Sequence, residues 1–97
     1  MFSIDGFEWD KAKAEINLKK HQVSFDEAMT VFYDDNALLL PDPDHSFNEE
    51  RFILLGYSQL NNILVVVHCE RENNIRIISA RKATLKEMTQ YRGQYER

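Results

Sequence analysis

Glutamate, histidine and arginine recur at the ends of three apolar runs in the second half of the chain. Glu49 and Arg51 open the first run, His68 and Glu70 close the second, and Arg76 lies near the start of the third with Arg81 beyond its end. An antiparallel sheet covered by helices on one face leaves the other available, and these groups are the candidates to converge there. Their chemistry suits metal-independent phosphodiester cleavage. A carboxylate or imidazole takes the proton of a 2′-hydroxyl, guanidinium groups stabilise the charge on the phosphorane, and a second acid protonates the departing 5′-oxygen. Arginine is the cation of choice for planar, bidentate contact with phosphate. The same letters also describe a solvated face carrying a few surface ion pairs, and strand register decides between the two.

The elements that must position these groups are legible from pattern. Residues 52–55, 63–67 and 75–78 are rich in Ile, Val, Leu and Phe, as strands are. Asn61-Asn62 and Glu72-Asn73-Asn74 separate them, too briefly for a crossover helix, so the three runs predict an antiparallel meander. Residues 37–40, stopped by Pro41-Asp42-Pro43-Asp44, predict a further strand, and Phe7-Glu8-Trp9 a short one before the first helix. Three helix starts are marked. Asp10 precedes a run of helix formers, Ser24 and Glu27 form one capping box, and Thr84 and Glu87 form another. Strict alternation places Leu64, Val66, His68 and Glu70 on one face of their strand. It places Ile75, Ile77, Ser79 and Arg81 on the face opposite Arg76, Ile78, Ala80 and Lys82, and Glu49, Arg51, Ile53 and Leu55 together.

Length and composition bound the rest. Ninety-seven residues, 43% hydrophobic and 29% charged, predict one globular domain spanning 1–97, an α+β fold with helices on one face of the sheet. The lone Cys69 has no internal partner, so a buried thiol in a reducing compartment is expected. The start of the sequence has no basic, apolar leader and no run long enough to span a bilayer, which predicts a cytoplasmic protein with no membrane partner. The net charge of −4 is uneven: residues 1–50 hold four Lys against twelve Asp or Glu, and residues 51–97 hold eight Lys or Arg against four. Phosphate recognition should therefore be local to the second half, while the acidic half offers a surface to a basic protein partner. His45, His68, Asp42, Asp44 and Glu49 lack any metal-site spacing, so neither a metal nor another cofactor is expected.

Three segments together resemble the BrnT family of bacterial toxins: FEWDKAKAEINLKKHQVSFDEA, DPDHSFNEERFILLG and VVVHCERENNIRIISARKAT. The resemblance runs from Phe7 to about Tyr91, and the family commonly has glycine where this chain has Gln22. It implies a RelE-like α+β fold, here a four-stranded, mainly antiparallel sheet with the 7–9 strand as an addition. It implies an endoribonuclease that blocks translation, with RNA as substrate. It also implies a BrnA-like ribbon–helix–helix antitoxin, through which alone DNA would be contacted. Carried over residue by residue, Arg81 is the first candidate for transition-state contact, followed by Arg51 and Arg76. Glu49 and His68 are candidates for base and acid, and Lys82, Tyr91 and His45 for the border of the RNA path. The competing expectation is a catalytically inactive binding module that acts as co-repressor with a DNA-binding partner.

Overall fold

The structure, a computed structural model, describes residues 1–45 and 49–93. Among the described residues the strands and α-helices follow in the order β1 (Phe2–Ile4), β2 (Phe7–Trp9), α1 (Lys11–His21), α2 (Phe25–Thr30), β3 (Leu38–Pro41), β4 (Arg51–Tyr57), β5 (Ile63–Arg71), β6 (Asn74–Lys82) and α3 (Leu85–Gly93), with short 3-10 turns at Val31–Tyr33 and Pro43–His45. The sheet among the described residues has six strands, in the order β1-β2-β6-β5-β4-β3. The expected meander is its centre: β4 pairs with β5, and β5 with β6, both antiparallel. The expectation of four mainly antiparallel strands is corrected at the N-terminal edge. Asp5 and Gly6, at φ 51° and 84°, form the two-residue turn of a β1–β2 hairpin, for which Asp-Gly is a preferred pair. β2 then lies parallel to β6, which makes the sheet mixed.

Each marked helix start is a helix start, and the caps differ instructively. Asp10 accepts from the Lys13 amide at 3.0 Å. Ser24 accepts from the Glu27 amide at 3.0 Å, but the Glu27 carboxylate does not complete the box. It is buried and accepts from Ser58 Oγ at 2.6 Å and Asn62 Nδ2 at 2.9 Å, fastening α2 to the β4–β5 turn. Thr84 and Glu87 form both halves, at 3.2 and 2.8 Å.

Helices cover both faces of the sheet, not one. α1 and α2 close a core of Phe7, Trp9, Val23, Phe25, Ala28, Leu54, Leu64, Val66, Ile77 and Ala80. α3 lies on the opposite face, where Tyr91 and Met88 pack on Leu55, Ile63 and Val65. That face is covered only toward one end.

α1 is anchored by a polar residue. Asn17, its buried residue, donates through Nδ2 to the carbonyls of Val23 (2.9 Å) and Ala80 (2.8 Å), and its Oδ1 accepts from the Ala80 amide at 3.1 Å. The reason lies in the sheet: β2 pairs with β6 only at Ile75 and Arg76, so beyond them the β6 edge would otherwise have orphaned backbone groups. The Asn17 amide replaces the missing strand.

The turn after α1 stores strain. Gln22 has φ 55° and ψ 31°, the left-handed cap for which glycine is the usual residue. Gln22→Gly is expected to raise stability by about 1 kcal/mol, since a side chain in this conformation costs roughly 1–2 kcal/mol and glycine returns part of that as chain entropy. A urea melt measures it, and a midpoint below wild type would refute it.

Candidate active site

The open part of the sheet face holds a hollow of about 240 Å³, walled by Arg51 and Ile53 of β4, Val65 and Val67 of β5, Ser79 and Arg81 of β6, and Asp42 of the β3–β4 connection. Ile53 pairs with Val67, Val67 with Ser79, and Val65 with Arg81, so these side chains share a face. The hollow is apolar at its floor and carries cations at its rim.

A β-bulge builds this arrangement. Val67 pairs with Ser79 while His68 pairs with Ile77, leaving Ile78 as an extra residue on β6. Strict alternation sets Arg76 and Arg81 on opposite faces; the bulge inverts the phase and brings both to the face of Arg51. Arg51 and Arg76 each pair with Cys69, so they flank it about 10 Å apart, and Arg81 stands four residues, about 13 Å, further along the sheet.

The sequence-derived candidates separate in space. Arg51 and Arg81 line the hollow. Arg76 shares the face but donates to Glu8 at 3.2 Å, and Asn74 donates to the same carboxylate at 3.1 Å, so its guanidinium ties β6 to β2. Glu49 accepts from Arg71 at 3.3 Å; that bond is the main cause holding its carboxyl below the usual range, and it does not line the hollow. His68 is 4% exposed on the α1–α2 face, its ring 4.9 Å from that of Phe32 and 6.0 Å from that of Phe52. Burial pushes its pKa down, so it is neutral at pH 7 and turned away from the arginines. Lys82 is exposed and borders a separate hollow of about 130 Å³ with Arg92. Tyr91 is core: it is 1% exposed, packs edge-on to Tyr57 and donates to Asp34 Oδ2 at 2.6 Å. The side chain of His45 lies outside the described residues. Cys69 is fully buried, which raises its thiol pKa, as an inert core cysteine should be.

Two contributors escaped the sequence reading. Asp42 is 7% exposed and is the carboxylate on the wall of the hollow, its backbone amide bonded to the Arg51 carbonyl at 3.0 Å. From sequence it reads only as part of a turn and of a metal set that the spacing does not support. Glu87 grips Arg81: Nη1 donates to Oε1 at 2.7 Å and Nη2 to Oε2 at 2.9 Å. Nη1 also donates to the Lys82 carbonyl at 3.4 Å. A guanidinium has five donor hydrogens, so among the described residues the Nε edge of Arg81 has hydrogens left for a second acceptor while Glu87 sets its orientation. Among the described residues, no group of three or more His, Cys, Asp and Glu side chains is placed to hold a metal ion.

The Arg81 bond is the main reason the Glu87 carboxyl falls from 4.5 to about 2, helped by the Thr84 amide and opposed by burial. A lowered folded pKa stabilises above the unfolded value and loses that stabilisation on acidification. The stability difference between wild type and Glu87→Gln should be flat above pH 4.5 and shrink between pH 4.5 and about 2. Urea melts across that range test it, and a difference that grows on acidification would contradict the clamp.

A sheet with a helix pair on one face and a cation-rimmed hollow on the other defines a small α+β protein with an anion-receptive face. The chain belongs to the BrnT family, the ribonuclease toxins of type II toxin–antitoxin systems, whose model matches residues 9–87. Among solved structures it is similar to the Brucella abortus ribonuclease toxin BrnT, known from a 1.1 Å crystal structure, with a TM-score of 0.64 and 21% identity over 80% of this chain and 95% of that one. That likeness concerns the fold. No curated protein sequence matches the chain. Membership of a type II system implies an antitoxin partner, and among the described residues no helix is long and apolar enough to cross a membrane.

Proposed function

We propose that this protein is a cytoplasmic, metal-independent endoribonuclease that blocks translation and is neutralised by a BrnA-like ribbon–helix–helix antitoxin. The observation that carries the reading is the meeting of Arg51, Arg81 and Asp42 around one hollow on the open sheet face of a BrnT-family chain. In the proposed reaction the Asp42 carboxylate accepts the 2′-hydroxyl proton, the 2′-oxygen bonds to the adjacent phosphorus, and the bond from phosphorus to the 5′-oxygen breaks. The products are a 2′,3′-cyclic phosphate and a 5′-hydroxyl, the latter taking its proton from solvent at the open mouth. Arg51 and the free edge of Arg81 stabilise the charge on the non-bridging oxygens. Glu49 and His68, the base and acid expected from sequence, have no part in this scheme because neither reaches the hollow.

One observation favours the other reading, an inactive binding module: Arg81 already holds a carboxylate with two bonds. Induced expression of the wild type separates the two. The ribonuclease reading expects growth arrest, and purified protein in a chelator should cut RNA to leave cyclic-phosphate ends. A folded protein that neither slows growth nor cuts RNA would establish the binding module.

A further inference from the structure

The bulge that builds the hollow also joins it to a second one. Ile78 and Ser79 line both the hollow of Arg51 and Arg81 and a groove of about 200 Å³ on the far side of β6, whose other wall is α1. From α1 the groove takes Lys13, Ile16, Lys20 and His21, with the buried Asn17 at its base. Lys13 and Lys20 are exposed, and among the described residues neither ammonium is held in a salt bridge, although the capping Asp10 lies near Lys13. They stand seven residues apart, two turns or roughly 10 Å along the helix. Ile16, 64% exposed, sits between them and offers an apolar surface for a base or ribose.

The charge is notable for its setting. Residues 1–50 hold twelve carboxylates and only four lysines, yet two of those lysines line the groove that shares Ile78 and Ser79 with the arginine hollow. An acidic protein repels nucleic acid except where its cations are gathered. Arg51 and Arg81 on one side of the bulge and Lys20 and Lys13 on the other gather four cations around Ile78 and Ser79.

Resting on the ribonuclease reading, we infer that this groove is a phosphate-binding extension of the site, in which the backbone of single-stranded RNA beside the cleaved bond crosses the β6 bulge. Lys13 and Lys20 each neutralise one flanking phosphate, His21 borders the ribose, and Ile16 and Ile78 carry apolar contact. These residues bind substrate and take no part in the bond-breaking step.

The probe is a short single-stranded RNA with 2′-O-methyl groups throughout, which binds but lacks the nucleophile. Its affinity is measured by fluorescence anisotropy against salt concentration. Each phosphate neutralised contributes a slope of about 0.7 for single strands, so Lys13→Gln with Lys20→Gln is expected to lower the slope by about 1.4 and weaken binding on the order of tenfold. Lys19→Gln, on the same helix but outside the groove, should leave the slope unchanged. On cleavable RNA the double variant should raise KM with kcat retained, the signature of lost uniform binding. Both lysines are exposed, so a thermal melt matching wild type confirms that folding is not the cause. A slope unchanged in the double variant but lowered by Arg51→Ala would overturn the groove while the ribonuclease reading stands. No RNA binding by the wild type would overturn both.

Discussion

Arg81→Ala is expected to lower RNA cleavage by about two to three orders of magnitude and to abolish growth arrest, the scale seen when one preorganised charge-stabilising donor is removed from an active site. The fold should survive. The Arg81–Glu87 pair is partly exposed, with side chains 41% and 26% accessible, and such pairs contribute at most about 1 kcal/mol. Glu87 retains its Thr84 bonds and still caps α3. Arg81→Lys keeps the charge but cannot hold Glu87 and a phosphate with two planar edges, so it should recover only part of the activity. Cleavage assays paired with thermal melts measure both sides of this claim. An Arg81→Ala protein that melts like wild type and cuts RNA equally well would move the chemistry to Arg51 and Asp42 alone.

The largest effect on stability is expected from Asn17→Ala. The change removes three hydrogen bonds and strands the Ala80 amide, the Ala80 carbonyl and the Val23 carbonyl in a buried setting. A buried backbone group without a partner costs about 1–3 kcal/mol; with some relief from water, the total loss is about 3–5 kcal/mol. For a chain of this size that lowers Tm on the order of 15 °C or more. Asn17→Asp distinguishes the cause. Its carboxylate can still accept from the Ala80 amide but faces two carbonyl oxygens in place of donating to them, so it should be no more stable than alanine. A Tm for Asn17→Ala within a few degrees of wild type would mean that β6 does not depend on this amide. Because the same stretch of β6 contains the bulge, Asn17 also holds the register on which the site rests.

The family was legible in the sequence because its signals are spread over three segments, and each was local. Helix starts were legible for the same reason: Asp10, Ser24 and Thr84 act within one turn of themselves, whatever packs against them. Local pattern also drew the central meander, although β5 and β6 each run to nine residues, past the apolar runs, because the ladder continues through polar positions. The side on which a residue lies was legible only while the period of two held. His68 sits with Leu64 and Val66, as alternation required, and that face is the core. Arg76 and Arg81 did not obey it, since one unpaired residue, Ile78, reverses the phase between them. Nothing in Ile-Ile-Ser-Ala-Arg announces a bulge.

Residue pattern alone set the α+β class, the three helix starts and the central meander. Packing set which arginines meet, that Glu87 orients Arg81, that Asp42 closes the wall, and that β2 adds in parallel at the edge of β6. Those outcomes depend on strand register and on contacts between distant segments, such as Asn17 and Ala80, 63 positions apart in the chain. Residue type and short-range spacing record which groups are present; packing alone fixes which of them share a surface.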